Sequence, residues 1–252
     1  MIRLCDWLTI PHGVTAVVGG GGKTSLIMRL AAELSDNGRV LLLTTTRIWP
    51  PACPLLLSPT ERELRQAFRL EHLLVAGDLT AEGKLCWPST LHEPPDAYAD
   101  YVLVEADGSR GLPLKAPDTH EPMLPNNAAL TLAVAGMSCA GHSIAQAAHR
   151  PARYAALLSA DEAEPVTPEG VASVLVHPNG QRKNVTGRFA VVLNQADTQA
   201  RLTFARDVAQ KLPFNAVITA LQTRPRFAEF WRRGELISRD DAEQATDSFG
   251  EG

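Results

Sequence analysis

The stretch that decides the fold is VTAVVGGGGKTSLIMRL, residues Val14–Leu30. Five residues suited to a buried strand precede four consecutive glycines, and Lys-Thr-Ser then opens a segment with the apolar spacing of a helix. A strand, a glycine-rich turn and a helix N-terminus in this order form a cradle for phosphate, because glycines admit close backbone approach and the helix adds its positive end. The stretch therefore predicts a phosphate-binding loop in an α/β protein.

This loop is shorter than the usual Walker A motif. The spacing G-x-x-x-x-G-K-[ST] would put the first glycine at Val17, inside the predicted strand. We expect Lys23 to be the catalytic cation at the terminal phosphates and the Thr24 hydroxyl to ligate Mg²⁺. A plain glycine-rich turn is the alternative, but it would not need Lys-Thr directly after the glycines. The nucleotide-binding residues predicted in this stretch are Gly19, Gly20, Gly21, Gly22, Lys23, Thr24 and Ser25.

Composition narrows the class of protein. The chain has 252 residues, 45% of them apolar, and a formal net charge of -4. It therefore lacks the excess positive charge of a non-specific nucleic-acid binder. Four scattered cysteines form neither a disulfide framework nor a thiolate zinc motif. The sequence shows no signal peptide and no apolar run of the roughly 18 residues that a membrane helix needs. We expect a cytoplasmic protein with no nucleic-acid or membrane partner.

Short apolar runs alternate with segments of helical spacing, which predicts a predominantly parallel sheet with helices on both faces. The predicted strands are Val14–Val18, Val40–Thr45, His72–Ala76, Tyr101–Glu105, Leu130–Ala135, Arg188–Asn194 and Ala216–Leu221. The predicted helices are Lys23–Ser35, Thr60–Leu70, Arg150–Leu158, Pro168–Val176, Thr198–Leu212 and Arg226–Arg233.

The domain organisation follows from the same pattern. We expect one P-loop NTPase-like α/β domain over residues 1–222, a helical appendage over 223–239 and a disordered acidic tail over 240–252. Two proline-rich segments, Trp49–Ser58 and Trp87–Ala97, are expected to be loops outside the sheet.

The segment DYVLVEADGSRG, starting at Asp100, predicts a metal site. Its apolar strand ends in Glu105 and Asp107, and a carboxylate at this position in a P-loop protein holds Mg²⁺ opposite the phosphate loop. Asp107 has an alternative role in an Asp-Gly turn, and the sequence leaves open which carboxylate is nearer the metal. Thr45, at the end of another strand, is a further candidate ligand, although threonine is also an ordinary strand residue.

Two later segments predict a purine-base pocket. FAVVLNQAD, Phe189–Asp197, resembles the N-K-x-D element of GTPases, in which the Asp binds the guanine and the Asn braces the loop. Thr219 and Ala220 resemble the S-A-L element that meets the base. Gln195 replaces the usual lysine, so the choice between ATP and GTP stays open. Two unremarkable strand ends are the alternative interpretation.

The loop that follows the predicted metal carboxylates concentrates charged and titratable side chains. A rim loop of this kind binds a second substrate or moves a proton, and a solvated loop is the alternative with equal support. The candidate second-substrate residues are Arg110, Lys115, His120 and Glu121.

Taken together, these motifs resemble the YqeC family, proposed accessory proteins of selenium-dependent molybdenum hydroxylases. The matching pieces are VVGGGGKTS, LLTTTRIWPP, VLVEADGSRGLPLKAP, DTHEPMLP, the segment from Gly136 to Pro151, VHPNGQRK and VVLNQAD. The resemblance implies a role in maturing a selenium-containing molybdenum cofactor, with the hydroxylase or its maturation proteins as partners. Carried over by position, the family's phosphate loop falls on Gly19–Thr24 and its acidic element on Glu105 and Asp107.

Two alternatives of a different class remain. The loop also resembles the A-[IV]-T-G-T-N-G-K-T-[ST] loop of Mur ligases and folylpolyglutamate synthases, which implies an ATP-dependent ligase or kinase acting on a small acceptor. A non-enzymatic nucleotide or cofactor binder is the other alternative.

Overall fold

The computed structural model describes residues 3–223 and 228–237. The strands are β1 Gly13–Gly19, β2 Val40–Thr44, β3 Leu55–Leu57, β4 Leu73–Leu79, β5 Leu85–Cys86, β6 Tyr101–Glu105, β7 Leu114–Lys115, β8 Ala128–Gly136, β9 Ala148–His149, β10 Arg188–Asn194, β11 Ala216–Thr219, β12 Ala228–Arg232 and β13 Glu235–Ile237. The α-helices are α1 Leu4–Trp7, α2 Lys23–Leu34, α3 Glu61–Ala67, α4 Ile144–Ala147, α5 Pro151–Leu158, α6 Pro168–Val176 and α7 Gln199–Gln210.

One mostly parallel sheet organises the described residues. Its strand order is β13-β12-β11-β10-β8-β1-β6-β2-β4-β3, with β5 paired to β4. The strands from β11 to β3 run parallel, whereas β5, β12 and β13 pair antiparallel with their neighbours. A separate parallel pair joins β7 to β9. The predicted α/β class with a predominantly parallel sheet is confirmed.

Both faces of this sheet are covered, because its strands are apolar on both sides. Along β1, Val14, Ala16 and Val18 pack in one buried layer and Val17 in the other. Helices α1 and α2 contribute to the layer of Val17, and helices α3, α5, α6 and α7 contribute to the opposite layer. The strands in the middle of the sheet therefore read as continuous apolar runs, which is the pattern the sequence shows.

The C-terminal part of the described chain differs from the prediction. The helix predicted over Arg226–Arg233 is wrong, because Ala228–Arg232 is strand β12 and continues through a hairpin into β13. These strands extend the sheet where a helical appendage was expected. Phe230 and Trp231 are both buried and belong to opposite apolar layers, which is the alternation of a strand rather than a helix. The tail over 240–252 lies outside the described residues.

The proline-rich segment Trp49–Ser58 also differs from its prediction as a loop outside the sheet. Residues Leu55–Leu57, within the segment expected to lie outside the sheet, form β3 and pair with β4 at the sheet edge. An edge strand tolerates the neighbouring prolines because one of its sides makes no ladder hydrogen bonds.

Among residues 3–223 and 228–237, no helix combines the length and the apolar character needed to cross a membrane.

Candidate functional site

The predicted site residues follow strands that end at one edge of the sheet. β1 is flanked by β6 on one side and by β8 and then β10 on the other. The chain crosses from β1 toward β2 beyond β6, and later returns to β8 on the opposite side, so β1 marks a topological switch point. Ligands of open α/β sheets bind at such points, outside the carboxyl ends of the strands. The glycine loop after β1 is therefore at the centre of the candidate site.

Close backbone packing requires the glycines of this loop. Gly21 has φ +78°, and a Cβ atom there would lie 2.3 Å from the backbone N and Cα of Gly136. Gly19 has φ +98°, and its Cβ would lie 2.1 Å from the carbonyl oxygen of Val134. Side chains are thus excluded both by conformation and by space. The loop presses against the end of β8, which fixes its shape.

The backbone N–H groups of the loop are partly used within the protein. Gly20 N–H donates to the Val134 carbonyl at 2.9 Å, and Gly21 N–H donates to the Leu112 carbonyl at 3.1 Å. The first N–H groups of a helix have no intrahelical acceptor, and here they belong to the first turn of α2, from Lys23 onward. The donors available to a phosphate are therefore concentrated at the α2 N-terminus rather than along the whole glycine run.

Lys23 lies folded over this loop and is 4% exposed. Its Nζ donates to the Gly19 carbonyl at 2.7 Å and lies 3.1 Å from Asp107 Oδ1 and 3.8 Å from Glu105 Oε1. The ammonium group is therefore beside both candidate metal carboxylates.

The carboxylates of Glu105 and Asp107 differ in their hydrogen-bond and ion-pair partners. Thr24 Oγ1 donates to Glu105 Oε2 at 3.0 Å, so the predicted metal-binding hydroxyl and this carboxylate meet directly. Burial raises the pKa of Glu105, while the Lys23 charge and the Thr24 hydrogen bond oppose that rise. A buried carboxylate with a raised pKa in a cleft is typical of functional sites.

Asp107 is instead enclosed by donors. Both of its carboxylate oxygens accept from Gly19 N–H, at 3.1 and 3.0 Å. Its Oδ1 faces Lys23, and its Oδ2 lies 3.2 Å from Nζ of Lys115, whose side chain is fully buried. Asp107 thus fixes the end of β1 and positions two lysines, whereas Glu105 is the carboxylate next to Thr24.

A chain of alternating charges continues from Lys115 to the rim. Lys115 Nζ lies 2.8 Å from Glu121 Oε2 and donates to the Gly108 carbonyl at 2.6 Å. Glu121 also accepts from both terminal nitrogens of Arg150, at 2.6 and 3.2 Å. Arg150 Nε in turn lies 3.2 Å from Asp118. Burial alone would raise the pKa of Glu121, but hydrogen bonds from Lys115 and Arg150 outweigh it and hold the pKa below its ordinary value.

The pairing of β7 with β9 creates this chain. It sets Lys115 opposite His149, and Arg150 follows immediately with φ +62° before Pro151 opens α5. The sequence predicted a helix from Arg150, and Pro151 is favourable in its first turn, but the sequence assigned Arg150 no site role. Each of these strands has two residues, so no periodicity could have revealed that they pair.

On the other side of β1, Asn194 braces the glycine loop. Its amide Nδ2 donates to the Gly21 carbonyl at 2.8 Å, and its Oδ1 accepts from Leu221 N–H at 3.3 Å. The loop after β11 is thereby joined to the loop after β1. Ser25 belongs to the same contact, because its hydroxyl accepts from Gln222 Nε2 at 3.1 Å.

The other residues of the predicted base pocket lie beside Asn194. Gln195 has φ +65°, and its side-chain oxygen accepts from the Ser138 hydroxyl at 2.6 Å. Asp197 is at the surface and pairs with Arg201 at 2.6 Å. Thr219 and Ala220 are buried, and the Thr219 carbonyl accepts from the N–H of Ala196.

Within residues 3–223 and 228–237, three further predicted residues form no hydrogen bond or ion pair with the glycine loop. The Thr45 hydroxyl donates to the Met123 carbonyl at 2.8 Å, whereas the Thr45 N–H and the Thr44 hydroxyl both donate to the Glu105 carbonyl, at 3.1 and 3.0 Å. Arg110 and His120 are exposed in the loops between β6 and β8. In the described part of the chain, no group of three or more His, Cys, Asp or Glu side chains is arranged to hold a metal ion without other ligands.

The family model described as YqeC protein matches residues 15–152, which contain the glycine loop, Glu105, Asp107 and Glu121. The chain is 32% identical over 190 residues to the "Uncharacterized protein YqeC" of Escherichia coli (strain K12), covering 68% of this chain and 71% of that protein. No solved structure matches significantly. The predicted resemblance is confirmed, and this chain belongs to the YqeC family.

Proposed function

We propose that this protein binds a purine nucleoside triphosphate with Mg²⁺ at a P-loop NTPase-like site and hydrolyses it slowly, during maturation of a selenium-dependent molybdenum hydroxylase or its cofactor. The maturation role comes from the family resemblance. The nucleotide proposal rests above all on one observation, the hydrogen bond between Thr24 and Glu105 beside Lys23 at the end of the glycine loop.

The phosphates would lie at the N-terminus of α2. That end combines free N–H donors with the positive end of the helix dipole, in a helix of 12 residues. Lys23 would exchange its contact with the Gly19 carbonyl for the terminal phosphate oxygens, where its charge stabilises the transferred phosphoryl group. Asp107 would keep the ammonium group oriented from the other side.

The Thr24 and Glu105 side chains fit a magnesium ion shared with the phosphates. Mg²⁺ prefers hard oxygen ligands and takes only one or two from the protein when phosphates and waters supply the rest. A hydroxyl and a carboxylate in contact at the loop end provide that donor set. The bound ion would neutralise charge on the phosphates, with Thr45 and Asp107 nearby as the further candidates.

The base would lie toward β10 and β11, on the side of β1 away from Glu105. Asn194 supports this placement, because it bridges the glycine loop and the loop after β11 as a bracing residue should. Asp197 would recognise the base, and its contact with Arg201 must then loosen or leave one carboxylate oxygen available.

Replacing Lys23 with alanine tests the phosphate site. Isothermal titration calorimetry should show Mg²⁺ with ATP or GTP binding the wild-type protein, and binding at least about tenfold weaker in Lys23→Ala, since a charge-assisted contact is lost. Lys211→Ala is the matched control, because Lys211 lies next to α7 and pairs only with exposed Glu169 among the described residues. If neither nucleotide binds wild-type protein at millimolar concentration, the proposal is wrong.

Replacing Asp197 with alanine tests the base pocket alone. If Asp197 accepts from the base, the variant should lose most of the preference between GTP and ATP while keeping phosphate affinity, as judged by the same titration with inorganic pyrophosphate. An unchanged preference would remove the base assignment and leave the phosphate site intact.

An ATP-dependent ligase or kinase is the second candidate function. It is favoured by a cavity lined by Gly108, Arg110 and Thr45, of which Thr45 donates its N–H to the Glu105 carbonyl at 3.1 Å. Nucleotide turnover that needs a small acceptor would identify this class. Slow turnover that responds to a protein partner would support the proposed NTPase, and binding without turnover would identify a non-enzymatic binder.

A further inference from the structure

The cavity beside the candidate nucleotide site is large and carries excess positive charge. Its volume is about 500 Å³, within the range of small-molecule sites. Three arginines and one glutamate line it, together with a histidine and uncharged residues. The lining residues are Thr45, Thr46, Arg47, Cys86, Gly108, Arg110, Glu121, His149 and Arg150.

The single acidic residue of the lining is already neutralised. Glu121 is bound by buried Lys115 and by both terminal nitrogens of Arg150. Arg150 is committed to Glu121 and Asp118, so neither its charge nor its hydrogen-bond donors are counted on for a ligand. Lys115, predicted as a second-substrate residue, is likewise enclosed within the protein.

Two other arginines have donors to offer. Arg110 is exposed and forms no ion pair within residues 3–223 and 228–237, and Arg47 has only a 3.9 Å contact with exposed Glu82. Arg110 is held at φ +52° and Arg150 at φ +62°, both in the left-handed region that non-glycine residues rarely occupy. Backbone strain of this kind concentrates at functional sites and ligand clamps.

The electrostatics of His149 agree with this charge excess. Its pKa lies below its ordinary value because of burial and because of the positive charges of Arg150, Lys115 and Arg110, with Glu121 acting in the opposite direction. The cations around the ring therefore outweigh the nearby carboxylate, and an anion in the cavity would relieve their mutual repulsion.

We propose that the cavity is a second ligand site that binds a dianionic oxyanion group of the phosphate type, through Arg47 and Arg110, on the terminal-phosphate side of the nucleotide. Arginine presents a planar fork of donors that matches tetrahedral oxyanions. The chain of charges through Glu121, Lys115 and Asp107 leads from the cavity to Lys23. The placement relative to nucleotide rests on the proposed function; the anion site does not.

Calorimetry on the full chain tests this proposal. Protein saturated with Mg²⁺ and a non-hydrolysable ATP analogue is titrated with glycerol 3-phosphate, inorganic phosphate or glycerol. The first two probes distinguish a phosphate ester from the free ion, and glycerol is the uncharged match. We expect at least one phosphate probe to bind and glycerol not to bind. Repeating the titration without nucleotide tests the anion site independently.

Variants locate the bound probe. Arg110→Gln and Arg47→Gln should each weaken binding by about tenfold or more, since each removes a charge-assisted contact. Arg232→Gln is the matched control on β12, at the opposite side of the sheet, and should change the affinity less than twofold.

These titrations distinguish failure of the cavity proposal from failure of the proposed function. If nucleotide binds but no phosphate probe does, or if the arginine variants bind the probe like wild type, the cavity proposal is overturned while the nucleotide proposal survives. If nucleotide fails to bind and a phosphate probe still depends on Arg110 and Arg47, the cavity proposal stands and the proposed function falls.

Discussion

Replacing Lys115 with methionine is expected to lower the free energy of unfolding by about 3–5 kcal/mol. The Lys115 side chain is fully buried, and its ammonium group contacts Asp107, Glu121 and the Gly108 carbonyl. Methionine keeps much of the apolar stem but removes the charge, so two buried or half-buried carboxylates each lose one cation. Truncating one partner of a buried ion network is costly because the remaining charges stay desolvated.

Urea unfolding monitored by circular dichroism would measure this loss, with Lys84→Met as the matched control. Lys84 pairs at 3.3 Å with Glu82, whose side chain is 59% exposed, so its replacement should cost no more than about 1 kcal/mol. Equal losses of unfolding free energy for the two variants would contradict a buried ion network around Lys115.

Lowering the pH should reduce the difference in the free energy of unfolding between the wild-type protein and Lys115→Met. The pKa of Glu121 is lowered in the folded protein, so its ion pairs contribute stability above the ordinary value of 4.5, and that stability is lost as the pH falls through the folded pKa. The wild-type protein has more of this stability to lose. If this difference in unfolding free energy stays constant as Glu121 becomes protonated, the cost of the Lys115→Met replacement comes from packing and not from charge.

Replacing Gly21 with alanine should strongly lower the free energy of unfolding. Gly111 provides a matched control for this change. Gly21 and Gly111 have almost the same backbone angle, φ +78° and +79°. Alanine at Gly111 meets no atom within 4 Å, so its cost is the left-handed conformation alone, about 1–2 kcal/mol. Alanine at Gly21 adds a 2.3 Å approach to the Gly136 backbone, for a total of about 3–5 kcal/mol.

The two alanine variants can be compared by urea unfolding and by nucleotide titration. Gly21→Ala should lose both stability and nucleotide binding, because the loop must move away from β8. Gly111→Ala should keep nucleotide binding. Should both variants be equally stable, the close contact between the loop and Gly136 would not be what requires glycine there.

Local sequence determined much of the sheet. Tyr101–Glu105 and Arg188–Asn194 were predicted at the bounds the structure shows, because buried parallel strands read as short apolar runs and end where polar residues begin. The same reasoning misassigned Ala228–Arg232. Its strand character depends on pairing with β11 and on Phe230 packing against Trp7, with ring centroids 4.5 Å apart. Alternation over five residues was a signal too short to outweigh helical spacing.

The sequence also predicted the parts of the candidate site that lie within one segment. Four glycines between an apolar run and a helical segment predicted the loop, since positive φ angles are a local conformational demand that glycine meets. Which carboxylate faces Thr24 was not decidable, because Glu105 and Asp107 are two residues apart and their surroundings come from other strands. The tertiary structure places Glu105 on Thr24 and encloses Asp107 between Lys23 and Lys115.

The tertiary structure alone decided the charge network and the cavity. Arg150 reaches Glu121 only because β7 and β9, which are 34 residues apart at Lys115 and His149, pair as neighbours. Composition and periodicity report on contacts within a turn or a strand, whereas ion pairs depend on where distant segments meet. The sequence by itself thus determined most of the parallel strands, the glycine loop and the family, and the fold determined which charged side chains share the site, because their partners lie far away along the chain.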